Sequence, residues 1–286
     1  MIAIGRESGA FDAEVTQDAT LITPEKLKTI DVLVFYTTGA LPIPAPAWQA
    51  VQEWVASGKG GFVGLHSATD TSWPYTGPGE DYTRFINGKF AAHPWTRGTP
   101  IKLAAHGAHP TTAMWPAAFD YAEEIYQYSD YDPARVRVLQ SLDFVGAKLK
   151  RPWLVPVTWV RNVGPGRLFY TNLGHTQSTW DDPRFRRQIV EGIRWAAGQS
   201  QGSAAPNPRE QALWAVRSLL AYKDMPETEI KAVTAGLSRA DDAWLNAVAA
   251  QIAALRLIFP KKDADKPAFD SSYAALVSSI RAKAGR

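Results

Sequence analysis

The stretch GFVGLHSATD, residues 61–70, decides the fold. Its first five residues are a short apolar run that predicts a buried strand, and a turn carrying His66, Ser67 and Asp70 follows directly. In an open parallel sheet, ligands bind beyond the carboxyl ends of the strands. These polar side chains are therefore candidates for a functional site. The turn does not match the G-x-S-x-G nucleophile elbow, so no motif gives its chemistry.

The preceding segment completes a strand–helix–strand unit. Residues 31–36 (DVLVFY) predict a fully buried strand, and residues 46–57 place Trp48, Val51 and Val55 on one face of a helix that ends at Gly58. The two strands and the helix between them make a βαβ unit, in which the strands pair in parallel.

The segment from residue 101 to residue 198 is predicted to add further strands and then a helix. Further strands are predicted at residues 101–104, 124–128, 136–142, 155–160 and 167–172. The turn residues NVGPG at 162–166 indicate a hairpin between the last two. Asp182 and Pro183 are typical of a helix start, and Gly198 of its end.

Composition changes near residue 200 and predicts a domain boundary. We expect an α/β domain over residues 1–198 and a small, polar, proline-bearing linker over 199–208. Helical periodicity continues through 209–286, which we interpret as a small all-α domain with a structural role. These helices could join copies of the chain in a homo-oligomer.

Charge and cysteine content exclude several classes of function. The 31 basic and 28 acidic residues are interspersed among 286, which argues against nucleic-acid binding. The absence of cysteine excludes disulfides, thiolate zinc sites and a cysteine nucleophile. There is no apolar run of about 20 residues and no signal-peptide pattern, so we expect no membrane partner. The compartment, cytoplasmic or periplasmic, is left open.

Several separated motifs occur in the order found in one known family. The segments GFVGLHSATDTSW, INGKFAAHPW, EEIYQY, PVTWVRNVGPGRLFYTNLGHT and GIRWAAG together resemble the ThuA-like (trehalose utilisation) family over residues 10–198. The resemblance implies a flavodoxin-like, class I glutamine amidotransferase-like parallel sheet flanked by helices. It also implies a small-molecule carbohydrate substrate, namely trehalose, a related glycoside or a 3-keto derivative.

The chain departs from the family pattern in three places. The amidotransferase fold presents a cysteine where His66 stands, so glutamine hydrolysis is not expected. Family members begin with a strand and a histidine-bearing loop, whereas residues 1–9 resemble the end of the following helix, and we expect the first strand to be missing. The family's Asp-Glu pair is Glu123 and Glu124 here.

Histidines and carboxylates near predicted strand ends form the candidate catalytic set. All five histidines lie before residue 176, and we assign catalytic roles to His66, His175, Asp70 and Glu124. A histidine beside a carboxylate can act as a general acid or base near neutral pH. The residues predicted to bind substrate lie in nearby loops and strand ends: Ser67, Trp73, His93, Tyr126 and Trp180.

Other interpretations of the same residues stay open. His66, His93 and His175 could bind a divalent cation such as zinc or manganese, which would make the protein a metal-dependent hydrolase or isomerase. His93 and His109, each followed by a proline, could instead satisfy loop backbone groups. Ser67 could be a nucleophile activated by a nearby histidine, or it could cap the next helix. We favour a hydrolase, lyase or isomerase acting on a glycoside or keto-sugar over a non-catalytic sugar-binding or structural module.

Overall fold

The computed structural model describes residues 1–72 and 78–285. Within them, nine strands form: β1 (Val32–Phe35), β2 (Gly61–Leu65), β3 (Lys89–Trp95), β4 (Pro100–Ala105), β5 (Ala118–Ala122), β6 (Ile125–Ser129), β7 (Arg137–Leu142), β8 (Pro156–Val163) and β9 (Gly166–Thr171). The same residues form ten α-helices: α1 (Ile2–Ser8), α2 (Pro24–Leu27), α3 (Ala45–Ala56), α4 (Gly79–Ile86), α5 (Gln177–Asp181), α6 (Pro183–Ala196), α7 (Pro208–Tyr222), α8 (Glu227–Gly236), α9 (Asp242–Ala254) and α10 (Lys266–Ala284).

Seven of these strands form a mixed sheet in the order β1-β2-β9-β8-β7-β4-β5. Strands β1, β2 and β9 run parallel, whereas β8 is antiparallel to β9, and β4 to β5. Strands β3 and β6 form a separate antiparallel pair. The expected α/β fold with helices flanking the sheet is confirmed, including the βαβ unit of β1, α3 and β2 and the hairpin between β8 and β9.

Two details differ from the sequence expectations. The prediction that residues 31–36 form a fully buried strand was wrong, because β1 lies at the end of the sheet order and only Phe35 of its residues is buried. Strands β3 and β5 and helix α4 were not predicted. Strand β3 contains Pro94, and only its last residue, Trp95, is buried, so it lacks the apolar pattern of a sheet core.

Helices pack closely against β2, an interior strand of the sheet. Trp48 of α3 and Phe85 of α4 meet with ring centroids 5.2 Å apart, and Phe85 lies 5.1 Å from Phe62 of β2. Helix α6 approaches β2 so closely that a Cβ atom on Gly61 would lie 2.3 Å from the main-chain oxygen of Ala196. This packing holds β2 in place, and the candidate site begins beyond the other end of the strand, after Leu65.

The chain divides into two compact units, residues 1–140 with 157–206 and residues 141–156 with 207–286. In the second unit, helices α7 to α10 enclose buried Leu219, Leu245 and Phe269. Arg217 of α7 forms a bidentate ion pair with buried Asp143, at 3.1 and 3.0 Å. The predicted domain limits placed 141–156 with the α/β domain, and they stay a prediction. No helix in the described ranges is long and apolar enough to cross a bilayer.

Candidate active site

His66 stands at a strained turn directly after β2. Its φ angle is +39°, which is uncommon for a residue with a side chain, and residues 66–70 continue as a 3-10 turn. Gly64, two residues before His66, lies in a tight space: a Cβ there would lie 2.9 Å from Ile86, 3.0 Å from Tyr170 and 3.3 Å from the Cβ of Ala68 in the turn. The side chain of His66 is thus fixed at the carboxyl end of a central strand, and the residue is 1% exposed.

The hydrogen bonds of His66 define which of its nitrogens carries a proton. Its Nδ1 lies 2.6 Å from the main-chain oxygen of Asn172, which can only accept, so Nδ1 donates. Nε2 is buried and has no hydrogen-bond partner among the described residues. Burial lowers the pKa of His66, although the Asn172 carbonyl and Glu124 act in the opposite direction. The neutral ring, with its lone pair on Nε2, is therefore favoured.

Glu124 is the common partner of three histidines. It lies between β5 and β6 and is 8% exposed. Its Oε1 atom lies 3.5 Å from Nε2 of His66 and 3.5 Å from Nδ1 of His175, and its Oε2 lies 3.8 Å from Nδ1 of His93. We call Glu124, His66, His93 and His175 the Glu124 cluster. The side chains of His175 and His93 are 33% and 48% exposed, so the cluster opens to solvent on their side.

Glu123 holds the loop that carries His175. Its Oε2 accepts hydrogen bonds from the N–H of Gly174 at 3.1 Å and from the hydroxyl of Thr179 at 2.5 Å. Its Oε1 accepts the N–H of Glu124 at 2.9 Å. Both oxygens of this fully buried carboxylate are thus occupied. Glu123 therefore acts as an anchor, and Glu124 is the acidic group that faces the histidines.

The conformation of Gly174 sets the course of the same loop. Its φ of +123° is accessible to glycine and strained for other residues. Its carbonyl accepts hydrogen bonds from the hydroxyl of Tyr36 at 3.0 Å and from Nε1 of Trp180 at 2.8 Å. The rings of Tyr36 and Trp180 also contact each other, with centroids 5.6 Å apart.

Aromatic rings line another side of the cluster. The Tyr126 ring lies 4.6 Å from the ring of His66 and 4.6 Å from that of Phe90. Burial raises the pKa of the Tyr126 hydroxyl, so it stays protonated and can donate a hydrogen bond. The side chain of Asn172 accepts the N–H of Tyr126 at 3.3 Å and donates to its carbonyl at 3.4 Å. Asn172 therefore forms hydrogen bonds with both residues, through its carbonyl to the ring of His66 and through its side chain to the main chain of Tyr126.

The remaining predicted site residues lie in different settings. Asp70 accepts a hydrogen bond from the Thr38 hydroxyl at 2.7 Å and, within the described residues, forms no hydrogen bond or ion pair with a histidine. Ser67 lies inside the 3-10 turn and does not cap it, because the N-cap residue is Leu65. The prediction of a Ser67 cap was wrong. Trp73 lies outside the described residues.

The other two histidines are buried, and His109 has a structural setting. His106 and His109 are each 3% exposed. Nδ1 of His109 accepts the N–H of Thr111 at 3.3 Å and caps the short 3-10 turn Pro110–Thr112. Burial, together with the positive charges of Arg137 and Arg167, lowers the pKa of His109 to about 4. The interpretation of His109 as a residue that satisfies loop backbone groups fits this arrangement.

Some residues of the site were absent from the predicted set. Glu123 was noted only as the neighbour of Glu124, and Asn172, Gly174 and Tyr36 were not assigned a role. The position of Asn172 could have indicated its role, because it directly follows β9, at the same edge of the sheet as His66. One potential ligand atom from each of His66, Glu124 and His175 lies within 4.8 Å of the other two. The third member of this group is Glu124, whereas the predicted set of metal ligands had His93 in its place.

Comparison with known proteins agrees with this fold. Residues 1–196 match the ThuA family, described as trehalose utilisation, and the chain belongs to that family. It is similar to a ThuA-like protein from Bacteroides uniformis, with 25% identity, a TM-score of 0.55 and coverage of 71% of this chain and 83% of that one. A ThuA-like protein from Parabacteroides merdae shares the fold, with 18% identity, a TM-score of 0.52 and coverage of 70% and 84%. No curated protein matches significantly. Membership of the family gives the chain a carbohydrate-related role.

Proposed function

We propose that the protein is an isomerase or lyase that transfers protons on a keto-sugar derived from a trehalose-like glycoside. The observation that carries the proposal is the Glu124 carboxylate shared by three histidines, one of them buried, which favours its neutral form. Family membership supplies the carbohydrate. The reaction type and the residue roles are inferred from the chemistry of these side chains.

Removal of a proton from the carbon beside a ketone needs a base near that carbon and a proton donor near the carbonyl oxygen. His175 and His93 are the accessible members of the Glu124 cluster and can exchange protons with solvent. Glu124 stabilises a positive charge on either ring, and the protonated Tyr126 hydroxyl is a further donor. Return of the proton to the former carbonyl carbon, with the hydroxyl of the deprotonated carbon becoming the new ketone, isomerises the sugar. Loss of a leaving group from the other neighbour of the deprotonated carbon makes the step an elimination.

Direct hydrolysis of an unmodified glycoside has less support. Glycosidases generally use two carboxyl groups that flank the bond to be cleaved. Here Glu124 is one such group, but Glu123 has both oxygens bound to internal donors, and Asp70 accepts from Thr38. The available groups are therefore one carboxylate and several imidazoles. This set suits proton abstraction beside a ketone better than it suits hydrolysis of a glycosidic bond.

The test is hydrogen exchange followed by NMR. The protein is incubated in deuterium oxide with trehalose, with 3-keto-trehalose and with methyl 3-keto-glucoside. We expect deuterium to enter the carbons beside the ketone, or an elimination product to form, faster than in buffer. We expect His175→Gln to reduce this rate by roughly 100-fold or more, as for loss of a general acid or base.

The matched control is His109→Asn, which changes a histidine outside the Glu124 cluster and keeps an acceptor at the Thr111 N–H. It should retain the wild-type rate. Binding of the keto-sugars without exchange or product would contradict the proposal and favour a sugar-binding module. Equal turnover of trehalose and its keto form would contradict the assigned reaction.

A further inference from the structure

Nε2 of His66 and Oε1 of Glu124 are two hydrogen-bond acceptors that face each other inside the protein. Because Nδ1 of His66 donates to the Asn172 carbonyl, the neutral ring has its lone pair on Nε2. That nitrogen is buried, has no hydrogen-bond partner in the described ranges, and lies 3.5 Å from the carboxylate oxygen. Two acceptors at this distance repel unless a proton or a cation lies between them.

Two of the three spacings among the ligand atoms match the size of a small metal ion, and all three atoms lie within 4.8 Å of one another. In a tetrahedral zinc site with metal–ligand distances of about 2.0–2.1 Å, neighbouring ligand atoms are about 3.4 Å apart. Oε1 of Glu124 lies 3.5 Å from both Nε2 of His66 and Nδ1 of His175. Adjacent ligands of an octahedral magnesium ion would be closer, at about 2.9 Å.

We propose that His66, Glu124 and His175 bind one divalent transition-metal cation, with Zn²⁺ favoured, through Nε2, Oε1 and Nδ1. Two imidazoles and one carboxylate are a donor set that suits zinc and its neighbours in the first transition row. The carbonyl of Asn172 orients the His66 ring from its far side, as is usual for a metal-ligating histidine. The partly exposed side of His175 leaves a coordination position that a substrate can reach.

A bound cation would change the roles of the residues in the Glu124 cluster. A bound cation polarises a substrate carbonyl and so favours loss of a proton from the adjacent carbon. With His66 and His175 acting as ligands, the proton transfer proposed above falls to His93, which faces the other carboxylate oxygen at 3.8 Å. This inference uses the site of the proposed function but does not depend on a sugar substrate.

The experiment is metal binding in the absence of carbohydrate. Untagged protein is stripped with EDTA, dialysed, and titrated with zinc sulfate by calorimetry, and a parallel sample receives cobalt chloride for visible absorption. We expect one equivalent of Zn²⁺ to bind with a Kd below about 1 µM. We also expect the intense visible bands of four-coordinate Co²⁺. His175→Gln, the least buried of the ligand variants, should weaken Zn²⁺ binding by tenfold or more.

Two variants make the result specific. His93→Gln and His109→Asn should each retain the single zinc equivalent, because neither residue belongs to the three ligands. Circular dichroism confirms that each variant is folded. Absence of zinc binding to the wild-type chain would overturn the inference, as would equal binding by wild type and His175→Gln. If zinc binds but no keto-sugar reacts, the metal site stands and the proposed function fails.

Discussion

Nδ1 of His66, after strand β2, lies 2.6 Å from the main-chain oxygen of Asn172, after the neighbouring strand β9. This hydrogen bond fixes the imidazole at the edge of the sheet and directs its other nitrogen toward Glu124. Asn172 adds two side-chain hydrogen bonds to the main chain of Tyr126. Strand pairing in the sheet is thereby linked to the position of the catalytic groups that we propose.

Replacing Asn172 by alanine should destabilise the protein and disturb the Glu124 cluster. The side chain is fully buried, and its loss leaves the Tyr126 N–H without this acceptor. We expect the free energy of unfolding to fall by about 1–3 kcal/mol, as for a buried polar group that loses its partner. Urea denaturation measures this change. Asn162→Ala, at an exposed position of β8, should change stability by less than about 0.5 kcal/mol, and an equal loss in both variants would contradict the account.

Replacing Gly174 by alanine should impair the loop that carries His175. A φ of +123° is strained for alanine, and we expect a cost of about 1–3 kcal/mol together with a lower turnover rate. The control is Gly98→Ala, where φ is +73° and nothing lies within 4 Å of an added Cβ. That variant should lose about 1 kcal/mol and keep full turnover. Thermal denaturation and initial rates measure both effects, and unchanged turnover in Gly174→Ala would count against the assigned role of the loop.

Glu123→Gln should separate positioning from catalysis. The amide retains one oxygen but loses the negative charge that accepts hydrogen bonds from Gly174 and Thr179. We expect kcat to fall while KM changes little, because the reacting groups shift and the aromatic side chains that bind sugar stay in place. Steady-state kinetics below the melting temperature measure the two constants. Glu191→Gln on α6, whose carboxylate pairs with Arg194 and lies outside the Glu124 cluster, is the matched control. A Glu123→Gln enzyme with the wild-type kcat would contradict this role.

The stability of the protein should depend on pH through His109. Its pKa is lowered to about 4 in the folded protein, against about 6.5 for an unfolded chain. Between these values the unfolded state binds more protons, so stability is complete above about pH 6.5 and is lost as the pH falls toward 4. The loss contributed by this group is on the order of 3 kcal/mol.

The measurement is the free energy of unfolding from pH 7.5 to 4.5 for the wild type and for His109→Asn. The variant keeps an acceptor for the Thr111 N–H and has no group that titrates at this position. Its pH profile should therefore be flatter than that of the wild type in this window. Parallel profiles would show that His109 is not the group responsible.

The sequence predicted the βαβ unit and the hairpin. It also grouped His66, Glu124 and His175 as candidates, but it did not give the distances between them. Apolar runs such as 61–65 identify central strands, because burial on both faces leaves a local signal. Strand β3 was missed because its exposed residues and Pro94 carry no such signal. The sequence shows that His66, Glu124 and His175 lie next to predicted strands. The distances between their side chains depend on which strands become neighbours in the sheet.

The supporting residues were harder to find for a physical reason. Glu123 and Glu124 are adjacent and chemically alike, and only the fold decides that one accepts internal hydrogen bonds and the other faces the histidines. Gly174 looks like an ordinary loop glycine until its φ and the donors to its carbonyl are known. Asp70 is the last residue of the 3-10 turn that begins at His66, yet its carboxylate accepts a hydrogen bond from Thr38.

The most direct test of the central claim is the turnover of 3-keto-trehalose by Glu124→Gln beside wild type and Glu191→Gln. Because three histidines share the Glu124 carboxylate, we predict that kcat/KM falls by about 100-fold or more in Glu124→Gln and stays within about twofold in the control. A folded Glu124→Gln protein that turns over the keto-sugar at the wild-type rate would contradict the claim that this cluster is the active site.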